Sequence, residues 1–127
     1  MKALLIQATI DSPFVNLDKD NNVFELKGKS LPENVNIFYQ PIIDWFSEYF
    51  KDPSSETIIN FKLDYLNTAS SKALLSLFLV VEEAVKSGIN AKIKWYFEED
   101  DEDMKDIGDE YADIIQIPFE IIQIDNQ

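Results

Sequence analysis

A cluster of polar side chains, Asn67, Thr68, Ser70, Ser71 and Lys72, lies where a predicted strand runs into a predicted helix. The free N–H groups at a helix start and the positive end of the helix dipole favour bound anions. A phosphoryl group on Thr68 would bring about −1.5 to −2 charges to this position. Lys72 lies four residues further along the same helix face and could reach that group. The cluster therefore permits a phosphorylation site at Thr68, whose surround and partner-binding surface would be the other four residues.

The same residue types also have a simpler explanation. Asn, Thr and Ser are preferred at the start of any helix, because their side chains accept hydrogen bonds from free backbone N–H groups. Lys72 is less easily explained in this way, since a cation in the first turn opposes the helix dipole by about 0.3–1 kcal/mol. From the residues alone, capping without phosphorylation is the favoured interpretation.

A second cluster consists of consecutive acidic residues and permits two interpretations. Its members are Glu98, Glu99, Asp100, Asp101, Glu102 and Asp103. Carboxylates are ligands for calcium and magnesium, and they could serve a metal-dependent hydrolase. Blocks of like charge are usually solvated, however, and acids at a helix start favour the helix dipole. A solvated loop leading into a helix is therefore the expectation, and no metal site is predicted.

The composition excludes several kinds of chemistry. The 127 residues include no Cys, no His and no Arg, and the eleven basic residues are all Lys. Thiolate and imidazole catalysis, zinc sites of the usual ligand set, disulfides and arginine clamps are therefore excluded. No catalytic residue and no cofactor is predicted, and the chain is not expected to be an enzyme.

The net charge of −13 favours protein partners. Residues 98–113 hold ten acidic residues and one Lys, a net −9 that leaves −4 for the rest of the chain. Such a chain repels phosphate backbones and anionic membrane surfaces, so neither nucleic acid nor membrane is an expected partner. No apolar run approaches the roughly 20 residues of a membrane span, and the N-terminus is too quickly polar for a signal peptide. A cytoplasmic location is the expectation.

The periodicity of apolar residues predicts a single α/β domain over residues 1–127. Strands are predicted at 4–9, 14–18, 23–27, 59–65, 91–97 and 119–124. Helices are predicted after a capping box at 30–33, through 73–85 as a helix buried nearly all round, and at about 101–114. Ile59, Phe61, Leu63 and Tyr65 alternate with polar residues, as in a strand that buries one face. The pattern indicates a mixed β-sheet with helices packed mainly on one face.

Five short motifs lie between residues 32 and 119. They are Pro-Glu-Asn with Phe-Tyr-x-Pro-Ile (32–42), Phe-Lys-Leu-x-Tyr-x-Asn-Thr (61–68), Ser-Ser-Lys-x-Leu-Leu (70–75), Trp-Tyr-x-Glu-Glu-Asp-Asp-Glu-Asp-Met (95–104) and Ile-Pro-Phe (117–119). Together they resemble the SiaC family of bacterial regulatory phosphoproteins, whose fold is similar to the STAS domains of anti-sigma-factor antagonists. The resemblance implies a STAS-like mixed sheet.

The resemblance also implies a function and a set of partners. The family's phosphorylated threonine falls on Thr68, which implies a protein kinase that modifies it and a metal-dependent protein phosphatase that reverses the modification. The unphosphorylated form would bind and activate a diguanylate cyclase, promoting cyclic di-GMP synthesis and biofilm formation, or would bind another effector protein. The acidic run at 98–103 would then be a possible partner surface. The alternatives are a carboxylate-based metal-dependent hydrolase and a structural partner protein without a switch.

Overall fold

The computed structural model describes residues 1–125 as six strands and three helices in one α/β arrangement. The strands are β1 (Leu4–Ile6), β2 (Phe14–Asp18), β3 (Val23–Ser30), β4 (Thr57–Leu66), β5 (Ala91–Glu98) and β6 (Phe119–Ile124). The helices are α1 (Val35–Tyr49), α2 (Thr68–Lys86) and α3 (Glu102–Ile114). Each of the predicted elements is found, in the predicted order.

The six strands form one mixed sheet in the order β1-β2-β3-β4-β5-β6. β2 is antiparallel to both of its neighbours, whereas β3, β4, β5 and β6 are mutually parallel. Five of the six strands therefore point in the same direction. Their C-terminal ends meet along one edge of the sheet, which we call the carboxyl edge, after residues Ile6, Ser30, Leu66, Glu98 and Ile124.

One face of the sheet is buried and the other is partly exposed. Along β4, Ile59, Phe61 and Leu63 are at most 4% exposed, while Asn60 and Lys62 between them are half-buried. The same alternation runs along β2, β3 and β5, and the buried side chains of the three helices join this single core. The predicted mixed sheet with helices on one face is confirmed.

A bulge interrupts the alternation at the end of β4. Gly28 pairs with Leu63 and Lys29 with Tyr65, so Asp64 is an extra residue in β4. The bulge shifts the alternation of buried and exposed side chains by one residue, which leaves Tyr65 half-exposed and Leu66 buried. The prediction that Tyr65 continues the buried face of this strand is therefore wrong.

The helix starts also differ in part from the sequence prediction. Ser30 is the last residue of β3, and α1 is capped instead by Asn34, whose side chain accepts the Ile37 N–H at 3.1 Å. The predicted capping box at 30–33 is wrong because pairing with β4 extends β3 as far as Ser30. α2 is longer than predicted, and the expectation that it is buried nearly all round is wrong, because Ser76, Leu79 and Glu83 are exposed on its outer face.

Aromatic side chains fix the two C-terminal helices to the sheet. The Phe78 ring of α2 lies 5.3 Å from Phe61 on β4 and 4.9 Å from Tyr111 on α3, measured between ring centroids. Trp95 on β5 lies 5.5 Å from Tyr111 and 6.2 Å from Phe119 on β6. Five elements therefore share one aromatic cluster. Aromatic pairs in edge-to-face or stacked geometry contribute about 0.5–1.5 kcal/mol each beyond the burial of their area.

The segment after α3 is held by a carboxylate. Glu82 of α2 accepts the backbone N–H of Gln116 at 2.6 Å and pairs with Lys86 at 3.4 Å. The Gln116 N–H, and then Lys86, lower the pKa of this carboxyl below its ordinary value.

Within residues 1–125, no helix is long and apolar enough to cross a membrane.

The close approach of α3 to β5 requires a glycine at position 108. A Cβ on Gly108 would lie 2.5 Å from Cδ1 of Trp95, whose indole is fully buried and donates to the Met104 carbonyl at 2.9 Å. This ring has no room to move. The destabilisation by overpacking should therefore outweigh the roughly 1 kcal/mol by which alanine normally stabilises a helix relative to glycine.

We therefore expect Gly108→Ala to lower the free energy of unfolding by about 1–2 kcal/mol in urea denaturation. Asp113→Ala, an exposed change in the same helix, is the matched control and should be nearly neutral. An unchanged or higher midpoint for Gly108→Ala would contradict this packing.

Candidate functional site

Thr68 is the exposed first residue of α2 and lies at the carboxyl edge of the sheet. The residue before it, Asn67, has extended backbone, and its side-chain oxygen accepts the Ser70 N–H at 2.8 Å. This geometry is an N-cap, so the capping role expected for Asn67 is confirmed. Because Asn67 supplies the cap, the exposed Thr68 is free of that role.

Below the start of α2, three hydroxyls form a buried network. The Ser70 hydroxyl is fully buried and lies 2.9 Å from the Ser30 hydroxyl, which in turn bonds to Tyr39 of α1. Burial raises the pKa of Tyr39 to about 12, so this phenol stays protonated at neutral pH. The Asn67 N–H donates to the Ser30 carbonyl at 3.1 Å. Ser70 thus belongs to the interior, and it acts on Thr68 only by holding the start of the helix.

Ser71 and Lys72 occupy different surroundings. The Tyr111 hydroxyl of α3 donates to the Ser71 carbonyl at 2.7 Å and lies 2.9 Å from its hydroxyl, which joins α2 to α3. Burial raises the pKa of Tyr111 as well. The Lys72 side chain is exposed, and its ammonium makes no ion pair with any residue in the described part of the chain.

The acidic run follows β5 at the same edge of the sheet. Glu98 ends β5, Glu99 and Asp100 form a turn, and Asp101 caps α3 by accepting the Met104 N–H at 3.0 Å. Glu102 and Asp103 are in the first turn of α3, where acids favour the helix dipole. A local structural role therefore accounts for much of this run, in agreement with the expected loop and helix start.

A cavity of about 400 Å³ separates the acidic run from the end of β4. Its walls are formed by Asp64, Tyr65, Leu66, Asp101, Asp103, Met104, Asp106 and Ile107. Asp64 and Asp106 lie outside the sequence run and join it only in the folded chain. Among residues 1–125, no group of three or more acidic side chains is arranged to hold a metal ion.

Exposed apolar side chains lie on the other side of Thr68. Ile10 is 89% exposed, Ile37 is 72% exposed and Leu31 is 37% exposed. The Leu31 N–H donates to the Asp11 carbonyl at 2.9 Å, which brings the loop after β1 against the loop before α1. We call Ile10, Leu31 and Ile37 the apolar patch. Sequence reasoning missed it, although Ile37 lies off the apolar stripe of α1, which is a recognisable signal.

The arrangement brings Thr68, Lys72 and the two flanking surfaces to one end of the molecule. Tyr65, which is 50% exposed, lies three residues before Thr68 on the side of the acidic cavity. The carboxyl edge therefore carries five of the nine large hydrophobic side chains that are exposed in the described chain, including Ile124 at the end of β6. An accessible hydroxyl among exposed apolar and acidic groups suits a modifiable protein-binding surface.

Comparisons with known proteins agree with this description. The chain matches the family described as SiaC family regulatory phosphoprotein over residues 6–124. An uncharacterised protein of Pseudomonas aeruginosa (strain UCBPP-PA14) is 27% identical over 121 residues, which cover 95% of this chain and 96% of that protein. The family match begins at the last residue of β1 and spans the other five strands and the three helices.

Solved structures show the same fold. Apo-SiaC of P. aeruginosa superimposes with a TM-score of 0.88 at 27% identity, covering 96% of this chain and 99% of that one. A crystal structure of the diguanylate cyclase SiaD in complex with its activator SiaC, from the same species, contains a chain with a TM-score of 0.90 at 26% identity. That match covers 95% of this chain and 99% of the other. The chain therefore belongs to the SiaC family of regulatory phosphoproteins.

Proposed function

We propose that this chain is a protein-binding switch, without catalytic activity of its own, whose state is set by phosphorylation of Thr68. The observation that carries the proposal is the exposed Thr68 at the start of α2, at the same edge of the sheet as the apolar patch. A buried Thr68 would have favoured a structural partner protein without a switch. The exposed hydroxyl is accessible to a modifying enzyme, while its helix is held from below.

The apolar patch supports the idea that a partner covers Thr68 in the unphosphorylated state. Exposed apolar side chains gathered in one place mark contact surfaces, and their burial supplies about 25 cal/mol per Å². Ile10 and Ile37 are among the most exposed large hydrophobic side chains in the described chain. A partner that buries them would place Thr68 at or inside the edge of the contact.

Phosphorylation would act through the difference between the free and the bound states. In the free protein, the helix dipole favours the phosphoryl group by about 0.3–1 kcal/mol, and Lys72 lies four residues away on the same face. In the complex, the group must lose water, and burying an ion costs several kcal/mol unless it is well paired. The cost of desolvating the phosphoryl group in the complex adds to its stabilisation by the helix dipole and Lys72 in the free protein. Both effects favour the free state, so phosphorylation would release the partner.

The partners are proposed from the family. A homologue in P. aeruginosa is named as the activator of the diguanylate cyclase SiaD, which supports a cyclase as the effector here. Binding of the unphosphorylated chain would then raise cyclic di-GMP synthesis. A protein kinase would phosphorylate Thr68 and a metal-dependent protein phosphatase would remove the group, all in the cytoplasm. The acidic run 98–103 and the cavity beside it would contribute to partner contact.

The first prediction concerns the modification itself. Protein isolated from its native host in two contrasting growth conditions should carry one phosphoryl group on the peptide that contains Thr68, with occupancy that differs between the conditions. Intact-mass measurement with peptide mapping checks this. Phosphate on other peptides only, or on none under any condition, would leave Thr68 as an ordinary first residue of a helix.

The second prediction concerns the charge at Thr68. Thr68→Asp should weaken binding to the host's diguanylate cyclase, because a carboxylate must be desolvated in the contact, whereas Thr68→Ala should retain it. Isothermal titration calorimetry gives both affinities. Ser76→Asp, an exposed change two turns further along α2, is the matched control and should bind as the parent does. Equal affinities for the two Thr68 variants would contradict the proposed mechanism.

The third prediction concerns the apolar patch. Ile37→Asp should weaken the same binding by about tenfold or more, since one large apolar side chain contributes roughly 1.5–3 kcal/mol when it is buried. Leu79→Asp is the control, because Leu79 is also exposed on a helix but lies eleven residues, about 16 Å, along α2 from Thr68. An Ile37→Asp protein that folds normally and binds like the parent would place the contact elsewhere.

A further inference from the structure

β6 is an edge strand, and the backbone groups along its outer side are not paired within the sheet. Within residues 1–125 it pairs only with β5, in one continuous parallel register from Ile93–Phe119 to Glu98–Ile124. The Pro118 carbonyl accepts the Ile93 N–H at 2.9 Å, and the Ile124 carbonyl accepts the Glu99 N–H at 3.0 Å. In a parallel ladder, residues between such positions direct both backbone groups to the other side. The N–H and C=O groups of Phe119, Ile121 and Gln123 therefore point away from the sheet.

β6 lacks the features that usually protect a sheet edge. Its six residues, Phe-Glu-Ile-Ile-Gln-Ile, contain no Pro and no Lys, and no bulge interrupts its pairing with β5. The opposite edge differs, because β1 is only three residues long. An unprotected apolar edge strand of this length is a template for another strand.

The charge pattern of β6 suits a second copy of the same strand. Its one charged residue, Glu120, is already paired with Lys92 of β5 at 3.0 Å. Ile122 is half-buried and Ile124 is 37% exposed on the face that no buried helix residue covers. β6 is thus locally neutral and apolar in a chain of net charge −13.

We propose that β6 pairs antiparallel with β6 of a second copy of this chain, about a twofold axis at Ile121. In this register every outward residue of β6 faces another one, Ile121 opposite Ile121 of the second copy and Phe119 opposite its Gln123. Glu120 then faces Ile122 of the second copy and not its Glu120, so no like charges are opposed. The pairing is isologous, closes at two copies and extends the sheet from six strands to twelve.

The net charge predicts an unusual salt dependence for this contact. Two chains of −13 repel each other, while the paired strands themselves are joined by backbone hydrogen bonds and apolar side chains. Raising the salt concentration screens the repulsion and should strengthen the dimer. A contact between oppositely charged surfaces would weaken instead. Because one strand pair is a small interface, the affinity should be modest.

Sedimentation velocity on the unmodified protein, over a concentration series at low and at high salt, tests the proposal. The dimer fraction should rise with concentration and be larger at high salt. A chain that stays monomeric at about 1 mM, or a dimer that weakens as salt is added, would overturn it.

Proline tests whether the edge is the contact. The Gln123 N–H points away from β5, so Gln123→Pro leaves the native sheet intact but removes a donor from the contact at two symmetric positions. We expect about a tenfold weaker dimer with an unchanged melting temperature. Gln123→Asn keeps the N–H and is the matched control. A Gln123→Pro dimer as tight as that of Gln123→Asn would overturn the proposal.

The register has its own test at Ile122. Ile122→Lys would place an ammonium opposite Glu120 of the second copy and should tighten the dimer, whereas Ile122→Glu opposes two carboxylates and should weaken it. Both variants lie on the partly exposed sheet face and change size little. Equal weakening by both charges would overturn the pairing about Ile121.

Discussion

The aromatic cluster of Phe61, Phe78, Trp95, Tyr111 and Phe119 determines how the rest of the molecule is arranged. It joins three strands to α2 and α3 on one face of the sheet, with centroid separations of 4.9–6.2 Å. The large rings fill the space between the layers, and only a glycine at position 108 lets α3 approach the indole. The direction of α2, and hence the position of its first residue, follows from this packing.

Two kinds of interaction thus fix the position of Thr68. Packing of the rings sets where α2 lies, while the hydroxyls of Ser30, Tyr39 and Ser70 set where it begins. Each buried hydroxyl has a partner, and within residues 1–125 no buried side-chain nitrogen or oxygen lacks a hydrogen bond. A satisfied polar network in a dense core is rigid, because any displacement would leave a buried polar group unpaired.

The strands, the helices, the mixed sheet and the helical layer could be predicted from the sequence. Apolar residues recur every two residues in β4 and β5 and about every 3.6 residues in α2. Sequence reasoning failed where a long-range contact overrides a local signal. Ser30 looks like a helix cap but is the end of a strand paired with β4, and the bulge at Asp64 turns Tyr65 outward. Asn67 could be identified as a cap, since that role depends on its neighbours alone. The apolar patch and the cavity beside the acidic run combine residues from distant segments, so no single window of sequence contains them.

The hydroxyl network beneath α2 has a consequence for the timing of a signal. Under the proposed function, phosphorylation of Thr68 would act on a helix start that Ser30 and Ser70 already hold from inside, so no rearrangement of the backbone below it would be required. Conformational transitions that limit many regulatory proteins take microseconds to seconds, and this chain would have no such step to wait for. The response time would be set by how fast the modifying enzymes act and how fast the effector dissociates, so the duration of the output would be determined by its partners.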